Sequence, residues 1–297
     1  MRTVPIMKKL LLVVSVALLG AGLSSCGGST PAARDNVVTT TSVMAAIVRM
    51  VVPDDVSVTS VIPDGKDPHE YQPAPRDIAT VSHASVAVGS GFGFDGGLQA
   101  ALASARSDGA TVFVPEWDMP AGWEDGMPAQ SDPHWFLNID AVGKVVNKLA
   151  DVMGKALGRD LSREKADAVA SLGRLEGEVS GLVGQLPPGT CMVGEEHNML
   201  SQLLGPYGCG GAVLTWGSMV PSAEPAAYEL ERFVQTIRDR KIKVIVRDIA
   251  EPSRILRQAA DTTGAELVDV SVHGMGKATT YPDFIVGIAG PIVRALQ

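Results

Sequence analysis

LSREKADAVASLGRLEGEVSGLVGQLPP, residues 161–188, is the stretch whose reading decides the fold. Its apolar residues fall at Leu161, Leu172, Leu175, Val179, Leu182 and Val183. From Leu172 to Leu182 the steps are three and four, and Leu161 stands eleven residues, about three turns, before Leu172, which places them on one face of an α-helix. Pro187, Pro188 and Gly189 then stop the pattern, as prolines and glycine do beyond a helix end. The preceding residues, 138–158, carry the same period through Val142, Val145, Val146, Leu149, Val152 and Met153. Two long helices in succession, with no strand between them, therefore sit in the middle of the chain.

Both flanks read differently. On the N-terminal side, strand patterns over 37–41, 56–62, 85–89 and 111–114 alternate with helical patterns over 42–51, 75–84 and 98–105, the first with Ser42 as candidate cap. On the C-terminal side, strands are expected over 191–193, 212–216, 244–247 and 266–270. Helices are expected there over 198–204, 224–240, 253–262 and 281–296. Such alternation predicts parallel sheets with helices on their faces. The fold class expected is thus α/β: two βα lobes with mainly parallel sheets, joined by a long rigid connecting helix, with a ligand cleft between the lobes. The lobes would cover 36–158 and 188–297, with 159–187 as connector.

The formal net charge is −8, and the first 25 residues contribute three bases (Arg2, Lys8, Lys9) and no acid, so the remainder is more acidic still. Nucleic-acid binding needs basic patches to neutralise phosphates, and this chain is a poor candidate for it. The basic start is followed by the apolar run LLLVVSVALL at 10–19, too short for a membrane span of about 20 residues. That order of basic, apolar and small residues reads as a signal peptide over 1–25. Leu23-Ser24-Ser25-Cys26 resembles the lipobox of bacterial lipoproteins, which implies lipidation at Cys26 and anchoring to the cell membrane on the extracytoplasmic side. Residues 26–35, rich in Gly, Ser, Pro and Ala, read as a flexible tether. Cys191 and Cys209 remain. Export permits a disulfide between them without requiring one; two buried thiols are the other reading.

There are five histidines. His69 lies in DPHEYQP after the second strand, His134 in DPHWFLN ahead of a helix, and His197 beyond the strand over 191–193. Each falls at the carboxyl end of a strand or on a loop entering a helix, where an α/β protein places ligand-binding groups. Asp269, at the end of the strand over 266–270, is the fourth candidate. Three imidazoles and one carboxylate suit tetrahedral zinc and leave no open position for an activated water. Drawn from both lobes, they would let metal favour a closed arrangement. Neutral imidazole is required, so affinity is expected to fall as pH drops through the imidazole range. His83, mid-helix and without a motif, reads as structural. His273 reads as a loop residue at the cleft rim, with ligation in place of Asp269 as the alternative. Trp135 and Tyr71 read as packing groups that shield the site. The chain has no HExxH motif and no nucleophile elbow, which argues against a metalloenzyme.

With these residues in place, the chain resembles the solute-binding lipoproteins of bacterial zinc and manganese ABC importers. The resemblance rests on DPHEYQP, DPHWFLN, His197 ten residues before Tyr207-Gly208, Asp269 ahead of a Tyr281-containing terminal helix, and the segment Gly91-Phe92-Gly93-Phe94-Asp95. It implies metal ligation by His69, His134, His197 and Asp269, Zn(II) as transported ligand, and a membrane permease of an ABC importer as partner of a monomeric receptor. His at the third position leans to zinc over Mn(II), although Glu195 and Glu196 keep a mixed site open. The stretch 117–130, which matches a His-rich acidic loop in many zinc members, has acids but no His. The alternatives are a manganese receptor of the same family, or a metal-dependent adhesin or interaction protein.

Overall fold

The computed structural model describes residues 36–127, 130–209, 212–213, 227–250 and 253–297. The signal peptide, Cys26 and the tether lie outside the described residues, as do the end of the strand expected over 212–216 and the start of the helix expected over 224–240. No helix among the described residues is long and apolar enough to cross a membrane.

Among the described residues, two four-stranded, all-parallel sheets form the frame. The first contains β1 (Asn36–Thr39), β2 (Ser57–Ser60), β3 (Val86–Val88) and β4 (Thr111–Phe113) in the order β2-β1-β3-β4. The second contains β5 (Val193–Glu195), β6 (Ala212–Val213), β7 (Val244–Asp248) and β8 (Glu266–Val270) in the order β6-β5-β7-β8. In each sheet the chain steps outward once and then crosses to the other side of its first strand. That reversal opens a crevice beyond the carboxyl ends of β1 and β3, and of β5 and β7.

The helices are α1 (Ser42–Arg49), α2 (Pro75–Ser82), α3 (Gln99–Ser107), the single turn α4 (Pro115–Asp118), α5 (Ile139–Leu157), α6 (Ser162–Val183), the single turn α7 (Ser201–Leu204), α8 (Ala227–Asp239), α9 (Arg254–Thr263) and α10 (Tyr281–Leu296). Alternate strand residues enter different cores, as the two-residue period of a strand demands. Val37, Val86 and Val88 face one apolar cluster, whereas Val38 and Ala87 face a second one formed with α2 and α3. In the other sheet Val244, Val246, Val268 and Val270 join the first cluster, and Ile245 packs in a third, formed with α8 and α9.

The first cluster is therefore common to both sheets. It is filled by Met44 and Ile47 of α1, Val142 and Leu149 of α5, Leu175 and Val179 of α6, and Ile285 and Ile288 of α10. The connector α6 is not a free strut; it packs on α5 and α10, and swinging the lobes apart would expose this shared core to water. A buried hydrogen bond adds to the tie: Tyr281 Oη at the start of α10 donates to the Phe136 carbonyl at 2.8 Å, two residues from His134.

Local chemistry moved some boundaries. The hydroxyl of Thr41, not Ser42, caps α1 by accepting from Met44 N at 3.2 Å; Ser42 Oγ instead donates to Asp64 Oδ1 at 2.7 Å. The strand expected over 191–193 begins at Val193, and the helix expected from 198 is only the turn α7. The buried Glu195 carboxylate accepts from Met199 N and Leu200 N at 3.2 and 3.0 Å, holding the chain there in a loop. Cys191 and Cys209 are bridged, with their Cα atoms 4.8 Å apart.

Candidate metal centre

Four loops converge beyond the strand ends, and each delivers one imidazole. His69 lies on the loop after β2, His134 on the loop leading into α5, His197 after β5 and His273 after β8. One ring nitrogen from each lies within 4.8 Å of all the others. His134 Nε2 is 3.4 Å from His69 Nε2 and 3.2 Å from His273 Nε2. Zinc–nitrogen bonds of about 2.0–2.1 Å at tetrahedral angles require nitrogen–nitrogen edges of about 3.3 Å. Two edges of the cluster thus already have the length a tetrahedral ion needs. His134 and His273 are buried, while His69 and His197 are half-buried and form the open side.

Carboxylates behind the rings aim them. Asp132 Oδ1 lies 3.0 Å from His134 Nδ1 and also accepts from His134 N at 2.8 Å. Asp248, at the end of β7, places Oδ2 at 2.8 Å from His273 Nδ1 and accepts from the amides of Val272 and His273 at 2.9 and 2.8 Å. With Nδ1 facing a carboxylate, Nε2 is the nitrogen left to face a cation. Asp67 Oδ1 accepts from His69 N at 2.8 Å, the same short turn that Asp132 makes at His134. The repeated Asp-Pro-His is a backbone device in both loops. Phe94, fully buried, walls the cluster: its ring meets His69 edge-on at 4.9 Å and stacks on His273 at 5.6 Å.

Three of the four rings, His69, His134 and His197, are biased toward the neutral form. Burial first, and repulsion from neighbouring imidazoles second, lower the His69 pKa from 6.5 to about 3 and that of His197 to about 2. Burial also lowers His134, against the opposing pull of Asp132. Burial alone would raise Asp248, but hydrogen bonds from His273 and from the Ala250 and His273 amides hold it below the usual carboxylate range. An unfolded chain takes up protons on its histidines near pH 6.5, whereas the folded site resists them until far lower pH. Stability of the metal-free protein is then fully present above about pH 6.5 and falls as pH drops toward about 3, by up to about 2 kcal/mol per such histidine at pH 5. Thermal melts of metal-free protein at pH 7.5 and 5 check this; a higher melting temperature at pH 5 would contradict it.

The structure brings together His69, His134 and His197 but not Asp269. Asp269 points along the second sheet, where Arg247 holds both its oxygens at 2.8 Å. The β-strand period explains this: Asp269 lies between Val268 and Val270, which face the shared core, so it faces away. His273, read from sequence as a rim residue, is the buried fourth member. Asp248 was not singled out from sequence; an acid ending a strand next to a ligand-bearing loop is the signal that could have found it. Glu195 binds backbone amides away from the cluster, and burial pushes its carboxyl up to about 8. Burial raises Glu196 too, with Ser253 as its hydrogen-bond partner. His83 ends α2 and is exposed.

Tyr71 does not shield the site: its hydroxyl donates to Asp77 at 2.7 Å and its ring joins the cluster of α2 and α3. Trp135 is buried beside the centre and donates from Nε1 to the Ser90 carbonyl at 3.0 Å. In the acidic stretch over 117–130, Asp118 pairs with Arg106 of α3 and Glu124 accepts from Ser131 N, so both acids are engaged by neighbouring protein groups.

Comparison with known proteins agrees with this architecture. The family described as zinc-uptake complex component A, periplasmic, matches residues 37–295. The manganese ABC transporter substrate-binding lipoprotein PsaA of Streptococcus pneumoniae is 34% identical over 154 residues, 45% of this chain and 47% of the relative. The chain spans about half the length of the first curated relatives it matches. A PsaA of Streptococcus anginosus is 23% identical over 292 residues, 90% of this chain and 91% of that protein. Among solved structures, the periplasmic zinc binding protein TroA of Treponema pallidum superposes with a TM-score of 0.78 at 19% identity, covering 89% of this chain and 99% of that one.

Proposed function

The chain belongs to the family of the periplasmic zinc-uptake complex component A, and on that premise we propose that it is an extracytoplasmic receptor that captures Zn(II) and delivers it to an ABC importer. The observation that carries the metal is the donor set: four imidazole nitrogens within 4.8 Å of one another and no carboxylate among them. Imidazole suits zinc, nickel and copper, whereas manganese favours oxygen ligands. Two of the cluster's edges, at 3.4 and 3.2 Å, have the length tetrahedral zinc needs. Four neutral ligands leave the bound ion's double positive charge to be balanced by Asp132 and Asp248 behind the rings. They also leave no open coordination position for an activated water, which suits a receptor and not a hydrolase.

Manganese is the second reading, because relatives are named for it. The donor chemistry here speaks against it. The ligands His69, His134, His197 and His273 come from loops of both sheets, so capture draws those loops together around the cation. Delivery calls for a membrane permease as partner. Lipidation at Cys26 would keep a monomeric receptor at the membrane surface, in line with relatives named as lipoproteins.

The test is metal titration of the domain lacking residues 1–26, stripped with a chelator. One tight equivalent of zinc that excess manganese does not displace is expected. Manganese displacing zinc would overturn the metal, and tight binding of neither would overturn the receptor.

A further inference from the structure

One contact joins the two sheets directly beside the metal centre and has no part in ligation. Asp64 lies in the loop after β2, five residues before His69. Its Oδ1 accepts from Met275 N at 2.6 Å and its Oδ2 from Gly276 N at 2.9 Å. Met275 follows His273 by two residues on the loop beyond β8. Ser42, at the start of α1, completes the contact: its hydroxyl donates to Asp64 Oδ1 at 2.7 Å and lies 3.3 Å from Met275 N. The approach is close enough to demand glycine, since a Cβ on Gly274 would stand 2.6 Å from Asp64 Oδ1 and 3.1 Å from the Gly65 nitrogen. The loop is shaped for it from within, where Ser271 Oγ donates to the Gly274 carbonyl at 2.7 Å and Gly276 has φ of +57°.

We infer that Asp64 is a positioning residue: its carboxylate clasps the loop beyond β8 to the loop after β2 and so holds His273 at its working distance from His69. This rests on the metal-receptor reading above. A carboxylate that accepts two amide hydrogens makes charge-assisted bonds. Those bonds form only when the two loops meet, so they add to the closed arrangement and must break before the cation leaves. Because the shared core keeps the lobes from swinging freely, release is confined to such loop movement, and the clasp sets its rate. The contact is solvent-exposed, which limits its strength.

The test is the zinc dissociation rate, read by stopped flow into excess chelator, for the wild type, Asp64→Ala, Asp64→Asn and Gly274→Ala. Asp64→Ala is expected to release zinc about tenfold faster, with Asp64→Asn in between because one acceptor oxygen survives. Gly274→Ala, which displaces the clasp by crowding, should behave like Asp64→Ala. All four proteins are expected to bind one equivalent and to melt within a few degrees of one another without metal. Equal dissociation rates for the wild type and Asp64→Ala would overturn the clasp while leaving the receptor intact. A wild type that binds no zinc would overturn both. A lowered metal-free melting point with an unchanged rate would reduce Asp64 to a structural contact and overturn the inference.

Discussion

His273→Ala is expected to weaken zinc binding by about a hundred- to a thousandfold, and Asp269→Ala to leave it within about threefold. The apparent binding free energy of a four-ligand zinc site is about 10–16 kcal/mol, so one ligand carries about a quarter of it. His273 brings Nε2 to 3.2 Å from His134 Nε2 and is buried among the other rings. Its removal leaves three imidazoles and a gap that only water can fill. Asp269 is committed to Arg247, with nearly half of its side chain exposed. An ion pair of that kind contributes about 0–1 kcal/mol to stability and nothing to a cation elsewhere. Competition titration of the two variants, side by side, separates the four-histidine centre from one completed by Asp269. Equal losses would show that the loop beyond β8 rearranges on binding.

Asp248→Asn is expected to weaken zinc binding by about ten- to a hundredfold with every ligand still present. The carboxylate holds Nδ1 of His273 at 2.8 Å and lends negative charge to the site through that ring. Asparagine has nearly the same shape and keeps one acceptor for the amides of Ala250, Val272 and His273, which Asp248 also serves. It lacks the charge that makes the imidazole a stronger donor to metal. The measurement is the zinc Kd of the variant beside its metal-free melting temperature. A tenfold or larger loss with an unchanged melt assigns the effect to the ligand; a collapsed melt would place Asp248 in the fold instead. Asp248→Ala is the poorer variant, because it leaves two buried amides and one part-buried amide without an acceptor.

The two predictions mark where sequence reasoning stopped. The Asp-Pro-His turns announce themselves because a short Asx turn, a proline and a ligand are contiguous, so His69 and His134 can be read without a structure. The loop after β8 has no such local mark. Asp269 is the last but one residue of β8 and His273 lies three residues beyond its end, so closeness to the strand end does not separate them. Asp269 was the expectation because it lies on the strand; the two-residue period turns that side chain toward Arg247. Asp248 carries no local mark for a related reason. It is 25 residues from the histidine it supports, and the contact exists only because β7 and β8 are neighbours in the sheet.

What the amino-acid sequence determined by itself is periodic or contiguous. The three- and four-residue spacing in 139–183 specifies two long helices, the alternation on either side specifies two parallel sheets, and the Asp-Pro-His segments specify two of the rings. These follow from interactions between residues a few positions apart, which any window of the chain already contains. The tertiary structure alone decided which strands are neighbours, that α6 is packed into one core shared by both sheets, that His273 and not Asp269 completes the cluster, and that Asp64 reaches the Met275 and Gly276 amides. Each of these depends on groups brought together across tens to hundreds of residues by burial of apolar surface. That burial is non-directional, so no local pattern records which distant partner it will supply.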